Sequence, residues 1–346
     1  MNLALIGLGM VAATHIRAIS AANPTVTLRG VYARDVKKAQ SFVREMSSEI
    51  SADTVVYSSV EDIANDPEID FVIVTTPPNA RTNIVKTLAD AGKHILLEKP
   101  IERDRMAAKE IVEICETANV TLGIVFQHRA REVSLQLASQ SKDGTFGAIK
   151  VAEISVPWWR DQAYYDEPGR GTYERDGGGV LISQAIHTMD LALSFTGPVG
   201  KVQAMAKTSA LHDMESEDFV SAGLEFTSGA IGSLVASTAS YPGGAESIAL
   251  HCEKASVRLQ SGKLEVNWHD GRTEVFGEDT ASGGGADPMA FTHAWHQGII
   301  EDFADALANK RPPMATGREA LLVHDLIDAL VLSSKEERAI SIADME

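Results

Sequence analysis

Lys99 stands in a setting that favours acid–base chemistry, directly after the apolar residues 95–97 and within Glu98-Lys99-Pro100. The apolar run predicts a buried strand, whose end lies at the rim of a sheet. Partial burial there favours the neutral form of a lysine, which can accept a proton, and the proline limits backbone movement. Lys99 is therefore a candidate acid–base residue, with an ordinary lysine at the sheet rim as the alternative.

A second group of residues, Gly177-Gly178-Gly179 followed by His187 and Asp190, contains a histidine suited to proton transfer near neutral pH. His187 and Asp190 are three residues apart and would share one face of a helix. One interpretation makes His187 a buried histidine held by the Asp190 carboxylate, and the other makes it catalytic. The spacing alone leaves both interpretations open.

The N-terminal residues carry a glycine pattern typical of dinucleotide binding, Gly7-Leu8-Gly9-Met10-Val11-Ala12. It follows the apolar residues 3–6 and opens a helical pattern, which is the strand–turn–helix context that this pattern requires. Gly7 permits the tight turn, Gly9 permits close approach of a pyrophosphate, and Ala12 replaces the third glycine. The start of the helix favours an anion.

The residues after the second predicted strand favour NADP over NAD. Ala33 stands where an acidic residue would bind the ribose 2′-hydroxyl of NAD, and Arg34 follows, where a cation accommodates a 2′-phosphate. Lys38, one helical turn further on, adds positive charge. Asp35 is interpreted as the N-cap of the next helix, and binding of an NAD ribose by Asp35 is the alternative.

The elements that must position these residues change character along the chain. Short apolar runs alternate with helical periodicity up to residue 125, which is typical of βαβ units. The predicted strands there are 3–6, 26–32, 55–57, 71–74, 94–97 and 121–125, and the predicted helices are 11–21, 35–46, 79–90 and 103–117. The later strands are predicted at 150–156, 202–208, 219–225, 230–237, 247–251, 256–260 and 264–268, and the later helices at 179–196, 291–308 and 318–334.

This pattern predicts an α/β fold of two domains. Residues 1–125 form a doubly wound Rossmann domain, and residues 126–346 form an α/β substrate and oligomerisation domain with a large, mainly antiparallel open sheet. The last helix is a candidate to pack back on the first domain. The Gly-rich residues 280–288 predict a loop.

The composition excludes several classes of function. The formal net charge of −17 and the lack of a basic stripe argue against binding to nucleic acid. No apolar run approaches the roughly 20 residues that span a membrane, and no basic segment precedes the first strand, so we expect a cytoplasmic protein. His293 and His296 have helical spacing but no third ligand, so no metal site is predicted.

A few polar residues suit a small, sugar-like substrate. Arg160 and Arg170 lie among Trp158-Trp159 and Tyr164-Tyr165, and aromatic rings with an interleaved arginine fit a sugar face with a carboxylate or hydroxyl rim. If both arginines bind substrate, an acidic sugar is favoured. His296 is a further candidate substrate contact.

Taken together, these residues resemble the Gfo/Idh/MocA family of sugar and cyclitol dehydrogenases. The motifs that carry the resemblance are, in chain order, Gly7-x-Gly9-x-x-Ala12-x-x-His15, Thr76-Pro77-Pro78, Glu98-Lys99-Pro100, the block from Gly177 to Asp190 and Gly317-Arg318-Glu319-Ala320. The resemblance implies a Rossmann domain and a C-terminal α/β domain whose open sheet forms the subunit interface of a homo-oligomer, either a dimer or a tetramer.

The resemblance also implies roles for single residues. Lys99 is the implied catalytic lysine on the reacting oxygen, and His187 is the implied proton relay. The residues implied to line the cofactor follow the predicted strands 71–74 and 94–97; they are Thr75, Thr76, Pro77, Pro78, Glu98 and Lys99. Two positions depart from the family pattern: Ser183, followed by Gln184, replaces an acidic residue four positions before His187, and Arg81 replaces a histidine. Ser183 and Gln184 are candidate substrate contacts, and because a serine carries no charge at neutral pH, Lys99 and His187 must share the acid–base role.

The function expected from the sequence is hydride transfer between a nicotinamide and a secondary alcohol or carbonyl of a sugar, sugar acid or cyclitol. One alternative is an NAD-dependent glycoside hydrolase of the same fold. The other is a cofactor-binding protein without catalysis, which the presence of both Lys99 and His187 disfavours.

Overall fold

The computed structural model describes residues 1–279 and 291–345. The chain divides into two compact units, the first made of Met1–Gln127 with Thr292–Ala320 and the second of His128–Phe291 with Leu321–Glu346. The predicted loop at residues 280–288 lies outside the described residues. Within the described ranges, no helix combines the length and the apolar composition that crossing a bilayer requires.

The strands form one sheet in each unit. The first has the order β3-β2-β1-β4-β5-β6, and the second has the order β14-β13-β12-β11-β7-β10-β9-β8-β15. The strand bounds are β1 Asn2–Ile6, β2 Thr27–Tyr32, β3 Val55–Val56, β4 Phe71–Val74, β5 His94–Glu98, β6 Leu122–Val125, β7 Ile149–Pro157, β8 Val199–Lys207, β9 Phe219–Phe226, β10 Ile231–Ser237, β11 Ser247–Cys252, β12 Ala255–Gln260, β13 Lys263–Trp268, β14 Thr273–Gly277 and β15 Ile340–Ser341.

The helices connect and cover these sheets. Their bounds are α1 Ala12–Ala21, α2 Val36–Glu45, α3 Val60–Asn65, α4 Arg81–Asp90, α5 Arg105–Thr117, α6 Glu132–Lys142, α7 Gln162–Tyr165, α8 Ile186–Thr196, α9 Ala294–Asn309 and α10 Gly317–Glu336. A π-helical turn, Leu181–Ala185, runs directly into α8.

All neighbouring strands of the first sheet are parallel. Every residue of β4 and β6 is buried, as expected for a parallel sheet covered on both faces. The predicted α/β fold with a doubly wound first sheet is confirmed. The sequence patterns missed α3, which is only six residues long and is capped by Ser59.

Helix α9 belongs to the first unit although it lies near the end of the chain. Its Phe303 ring lies 5.3 Å from the Phe71 ring of β4, centroid to centroid. A Cβ at Gly123 in β6 would lie 2.7 Å from the same Phe303 ring, so the glycine lets the helix approach the strand closely. Helix α9 also packs against α1.

The second sheet is mainly antiparallel, as predicted, with one parallel pair between β7 and β10. Buried and exposed side chains alternate along its strands. In β10, Leu234 and Ala236 are fully buried, and Val235 between them is 40 % exposed. One face therefore packs on helices α8 and α6, and the other face carries exposed residues. The pattern did not predict α6, β14 or the two-residue strand β15.

Candidate active site

Three predicted motifs meet at one edge of the first sheet. Strands β1, β4 and β5 are neighbours and run parallel, so their carboxyl ends lie at the same edge. The Gly7–Ala12 turn follows β1, residues 75–78 follow β4, and Lys99 follows β5. The strand order reverses between β1 and β4, which is where doubly wound sheets bind their ligands.

The Gly7 turn is built for close approach of two loops. Gly7 has φ +96°, and a Cβ there would lie 2.9 Å from the Thr75 carbonyl carbon and from the Thr76 nitrogen. The Thr75 hydroxyl donates a 2.6 Å hydrogen bond to the Gly7 carbonyl. Only glycine satisfies both the positive φ and the space at this position.

Gly9 has a different reason to lack a side chain. A Cβ at Gly9 would meet no described atom within 4 Å, so packing within the protein does not require glycine there. Helix α1 has no side-chain cap and no acidic residue in its first turn. The residues present therefore fit a pyrophosphate, because the open backbone and the helix N-terminus both favour an anion.

The end of β2 presents exposed cations. Arg34 and Lys38 are exposed. The Asp35 carboxylate accepts hydrogen bonds from the backbone N–H groups of Lys37, at 2.9 Å, and Lys38, at 3.2 Å. The predicted N-cap role of Asp35 is thus confirmed.

Arg81 holds the backbone on both sides of Lys99. Arg81 is 2 % exposed, and its guanidinium donates hydrogen bonds to the carbonyl oxygens of Thr76, Glu98, Pro100 and Ile101. Burial lowers the pKa of Arg81 to about 10, against the opposing effect of the carboxylates of Glu98 and Glu102, so the group stays charged near neutral pH. The sequence marked Arg81 only as a departure from the family pattern.

The Glu98 carboxylate lies between two histidines. His15 Nε2 is 2.8 Å from Glu98 Oε1, and His296 Nε2 is 3.7 Å from the same oxygen. The two imidazole rings meet edge to face at 4.9 Å. Burial alone raises the pKa of Glu98, but the hydrogen bond from His15 and the nearby His296 ring outweigh it and hold that pKa well below its ordinary value.

The same three side chains are the one group of potential metal ligands in the described part of the chain, with their ligand atoms within 4.8 Å of one another. A metal would need His15 Nε2 without its proton, and metal-bound histidines normally donate the other ring N–H to a partner. His15 Nδ1 has no hydrogen-bond partner among the described residues. The geometry therefore fits a hydrogen-bonded His–Glu–His cluster better than a metal centre.

In the second unit, the glycine block fits against Glu217. A Cβ at Gly179 would lie 1.8 Å from the Glu217 carbonyl oxygen, so a side chain there is sterically forbidden. The Glu217 carboxylate accepts hydrogen bonds from the N–H groups of Gly179 and Leu181, at 3.3 and 3.1 Å. Glu217, which sequence reasoning missed, thereby anchors the start of the helical segment that carries His187.

The π-helical turn contains Ser183 and Gln184, and His187 follows in the first turn of α8. π-helical turns occur frequently at functional sites. The His187 ring lies 5.0 Å from the ring of His128 and is tilted by 31° from it.

The Asp190 carboxylate, which the sequence offered as a partner for His187, is fully buried and accepts two hydrogen bonds from Arg129, at 2.8 and 2.7 Å. No sequence signal pointed to Arg129, because it lies 61 positions away along the chain.

The predicted substrate residues Arg160, Arg170 and Gln184 come together around Tyr164. Arg170 and Gln184 each donate a hydrogen bond to the Tyr164 hydroxyl, at 3.1 and 3.2 Å. The Arg160 guanidinium lies 5.6 Å from the Tyr164 ring centroid. The Arg160 backbone is fixed by His212, whose Nε2 lies 2.8 Å from the Arg160 carbonyl oxygen. Tyr164 was noted in the sequence only as an aromatic neighbour.

The predicted site residues thus lie in two groups. The nucleotide motifs, Lys99 and His296 belong to the first unit, and Arg160, Arg170, Ser183, Gln184 and His187 belong to the second. His296 is 1 % exposed and contacts the Glu98 carboxylate and the His15 ring; its predicted contact with substrate stays a prediction.

Comparison with known proteins agrees with this geometry. The model of an oxidoreductase family with an NAD-binding Rossmann fold matches residues 1–126, and the model of the GFO/IDH/MocA C-terminal domain matches residues 135–258. The chain belongs to the Gfo/Idh/MocA family. It is an NAD-binding oxidoreductase.

Named relatives span the whole chain. The inositol 2-dehydrogenase of Rhizobium meliloti is 25% identical over 98% of this chain and 98% of its own length. The myo-inositol 2-dehydrogenase of Thermotoga maritima is 24% identical over 100% of this chain and 99% of its own. Among solved structures, the WlbA dehydrogenase of Chromobacterium violaceum, in complex with NADH and UDP-GlcNAcA, has a TM-score of 0.81 at 27% identity and covers 99% of this chain and 95% of its own.

Proposed function

We propose that this protein transfers a hydride between a nicotinamide dinucleotide and a secondary alcohol or carbonyl of a sugar, sugar acid or cyclitol. The observation that carries the proposal is the meeting of the Gly7 turn, residues 75–78 and Lys99 at the edge where the strand order reverses. Two relatives named as inositol dehydrogenases support the substrate class.

The proposed dinucleotide contacts follow from this edge. The pyrophosphate would lie on the Gly7–Ala12 turn, at Gly7, Gly9, Met10, Val11 and Ala12. The nicotinamide end would be lined by Thr75, Thr76, Pro77, Pro78, Glu98 and Lys99. The dinucleotide supplies the hydride acceptor or donor, and the protein supplies position and proton transfer.

Lys99 and His187 are the proposed acid–base residues. Oxidation of a secondary alcohol requires loss of the hydroxyl proton and stabilisation of the charge that develops on oxygen. Arg81 supports the role of Lys99, because it fixes the carbonyls of Glu98 and Pro100 on either side of the lysine. Ser183 offers a hydroxyl but no charge, so the proton is carried by Lys99 and His187 alone.

We propose NADP as the preferred dinucleotide. Arg34 and Lys38 are both exposed beside the end of β2, where a 2′-phosphate would lie. The Asp35 carboxylate is engaged by the helix N-terminus, which makes it a poorer partner for a ribose hydroxyl than a free acid would be.

We also propose a cytoplasmic homo-oligomer, a dimer or tetramer, assembled through the open face of the second sheet. That face carries exposed apolar side chains on three strands, Met205 of β8, Ile231 and Val235 of β10 and Val275 of β14. Apolar side chains grouped on one sheet face favour burial against another surface.

The test is a panel of sugars, sugar acids and inositols with NAD and NADP, followed through the absorbance of the reduced nicotinamide. We expect turnover with at least one secondary alcohol. Lys99→Ala should lower kcat by about 10² to 10⁴-fold and leave nucleotide binding, measured by fluorescence titration, near the wild-type value. The matched control is Lys86→Ala, an exposed lysine paired with Asp90 on α4, which should change neither quantity.

Two outcomes would overturn the proposal. Cleavage of an aryl glycoside with bound NAD and no net change in nicotinamide absorbance would identify the glycoside hydrolase alternative. Tight nucleotide binding without turnover of any compound, or full activity of Lys99→Ala, would contradict the proposed mechanism.

A further inference from the structure

A polar cluster of Tyr164, Arg170 and Gln184 lies in the second unit, close in sequence to His187. The Tyr164 hydroxyl accepts hydrogen bonds from the Arg170 guanidinium at 3.1 Å and from the Gln184 amide at 3.2 Å. The Arg170 guanidinium carbon lies 4.5 Å from the Tyr164 ring centroid, within the range of a cation–π interaction. Gln184 precedes His187 by three residues, so this member of the cluster and the proposed proton relay belong to one continuous helical segment.

Two polar atoms of this cluster have no hydrogen-bond partner among the described residues. They are Gln184 Oε1 and Arg170 Nε, and both are buried. Gln184 as a whole is 4 % exposed. Buried polar groups are normally paired, because an unpaired group loses its hydrogen bonds to water and gains none in the protein to offset that desolvation cost. An acceptor and a donor left open on two residues that share the Tyr164 hydroxyl therefore point to a ligand that supplies both a donor and an acceptor.

The charge of the cluster decides which ligand fits. Arg170 carries a positive charge. A second guanidinium, that of Arg160, lies 5.6 Å from the centroid of the same Tyr164 ring. Glu167, the carboxylate that pairs with Arg170, is shared with Arg175. A carboxylate brings a negative charge of its own, so its bond with the arginine becomes an ion pair and its bond with the tyrosine hydroxyl becomes charge-assisted, and both are stronger than bonds to a neutral hydroxyl.

We propose that Tyr164, Arg170 and Gln184 form the subsite that binds the carboxylate end of an acidic sugar, an aldonate or a uronate. The carboxylate accepts from Arg170 Nε and from the Tyr164 hydroxyl, and a neighbouring sugar hydroxyl donates to Gln184 Oε1. The proposal rests on the proposed function, because it names the substrate class of the same oxidoreductase.

The test compares each acidic sugar with its neutral parent in the full-length enzyme, for example glucuronate with glucose. The wild type should show a kcat/KM for the acid at least about tenfold higher. Arg170→Gln should lower kcat/KM for the acid by about 10- to 100-fold, mainly through KM, and change the value for the neutral sugar by less than about threefold. Tyr164→Phe keeps the ring and should give a smaller loss with the same selectivity.

Arg175→Gln is the matched control. Arg175 pairs with the same Glu167 carboxylate, at 3.0 Å, but the arginine that donates to the Tyr164 hydroxyl is Arg170. It should leave the preference for the acid unchanged. A wild-type preference for neutral sugars would overturn the proposal, and so would equal losses for acid and neutral sugar in Arg170→Gln.

A second measurement separates this inference from the proposed function. Calorimetric titration of glucuronate and gluconate into the nucleotide-bound wild type needs no turnover. Binding of either acid that is lost in Arg170→Gln and kept in Arg175→Gln supports the subsite, even if no compound in the panel is oxidised. Absence of binding by every acid tested overturns it, even if neutral sugars are turned over.

Discussion

His15 Nε2 lies 2.8 Å from Glu98 Oε1, and both side chains are buried. His15 belongs to α1, the helix that opens on the proposed pyrophosphate site, and Glu98 ends the strand that carries Lys99. The other oxygen of Glu98 accepts the Lys99 backbone N–H at 3.1 Å. One carboxylate therefore joins the nucleotide-binding helix to the loop of the proposed catalytic lysine.

Glu98→Gln should weaken this connection. The amide keeps the shape of the side chain but loses the charge that accepts the His15 hydrogen bond and faces His296, so we expect a loss of about 1–3 kcal/mol in the free energy of unfolding. We also expect a lower kcat, because the Lys99 backbone loses a charged acceptor. Urea denaturation and steady-state kinetics measure the two effects. Glu116→Gln, at an exposed pair with Arg318, should cost no more than about 1 kcal/mol; equal losses in the two variants would contradict the role of Glu98.

His296 should make stability depend on pH. Burial lowers the pKa of His296 below its ordinary value of 6.5. The unfolded chain therefore binds a proton below about pH 6.5 that the folded chain resists, so stability is present above that pH and is lost as the pH falls toward the folded-state pKa. His296→Gln should flatten this loss in denaturation curves recorded between about pH 7.5 and 5.5.

The control is His269→Gln, at an exposed histidine of the second unit, which should keep the wild-type slope. If His296→Gln and the wild type lose stability in parallel over this range, the buried His296 is not the source of the dependence.

Arg81 should act on kcat through the position of the loops that it joins. Arg81→Lys keeps a charge and three donors but not the planar fork that reaches carbonyls of both loops. We expect kcat to fall by roughly tenfold or more, because small displacements of reacting groups are costly, with a smaller change in the KM of the sugar. Arg81→Met should in addition lower the melting temperature, since it leaves buried carbonyls unpaired. An Arg81→Lys enzyme with the wild-type kcat would rule out this positioning role, and Arg318→Lys provides a surface control.

Arg34 should discriminate between the two dinucleotides. Arg34→Ala removes a cation proposed to bind the 2′-phosphate, so the KM for NADP should rise by about 10- to 100-fold while that for NAD changes by less than about threefold. Initial rates with both dinucleotides measure this. Lys37→Ala, at an exposed position in the first turn of helix α2, should alter neither KM. Equal effects of Arg34→Ala on both dinucleotides would refute the NADP assignment.

Val235 should report on assembly through the open sheet face. Val235 is 40 % exposed in β10, and a lysine in its place would bring a charge into the proposed interface once per subunit. Val235→Lys should shift the protein to a smaller species in sedimentation or light scattering. Leu211→Lys, at a residue 60 % exposed outside the strands, should leave the assembly as in the wild type; a Val235→Lys protein of unchanged mass would count against this face.

The local parts of the fold were predictable from sequence because they depend on neighbouring residues. The alternation of apolar runs and helical periodicity predicted the six strands of the first sheet, and the glycine pattern predicted the turn from β1 to α1. The Asp35 cap was likewise predictable, since a carboxylate two or three positions before backbone N–H groups needs no distant partner. The family followed from these motifs in their order along the chain.

Tertiary structure decided the partners of buried charges. Asp190, a helical neighbour of His187, accepts hydrogen bonds from Arg129. Arg81, which the sequence left as an unexplained departure, binds the backbone of the Lys99 loop. His296 lies next to Glu98. Helical periodicity predicted α9 as a helix but not that Phe303 would pack it on β4 and β6 in the first unit. These choices join residues up to 232 positions apart (Phe71 and Phe303), and a local pattern carries no information on which distant surface supplies the matching shape or the compensating charge. The sequence by itself determined which chemical groups the protein has and which strand ends carry them; packing determined which of them meet.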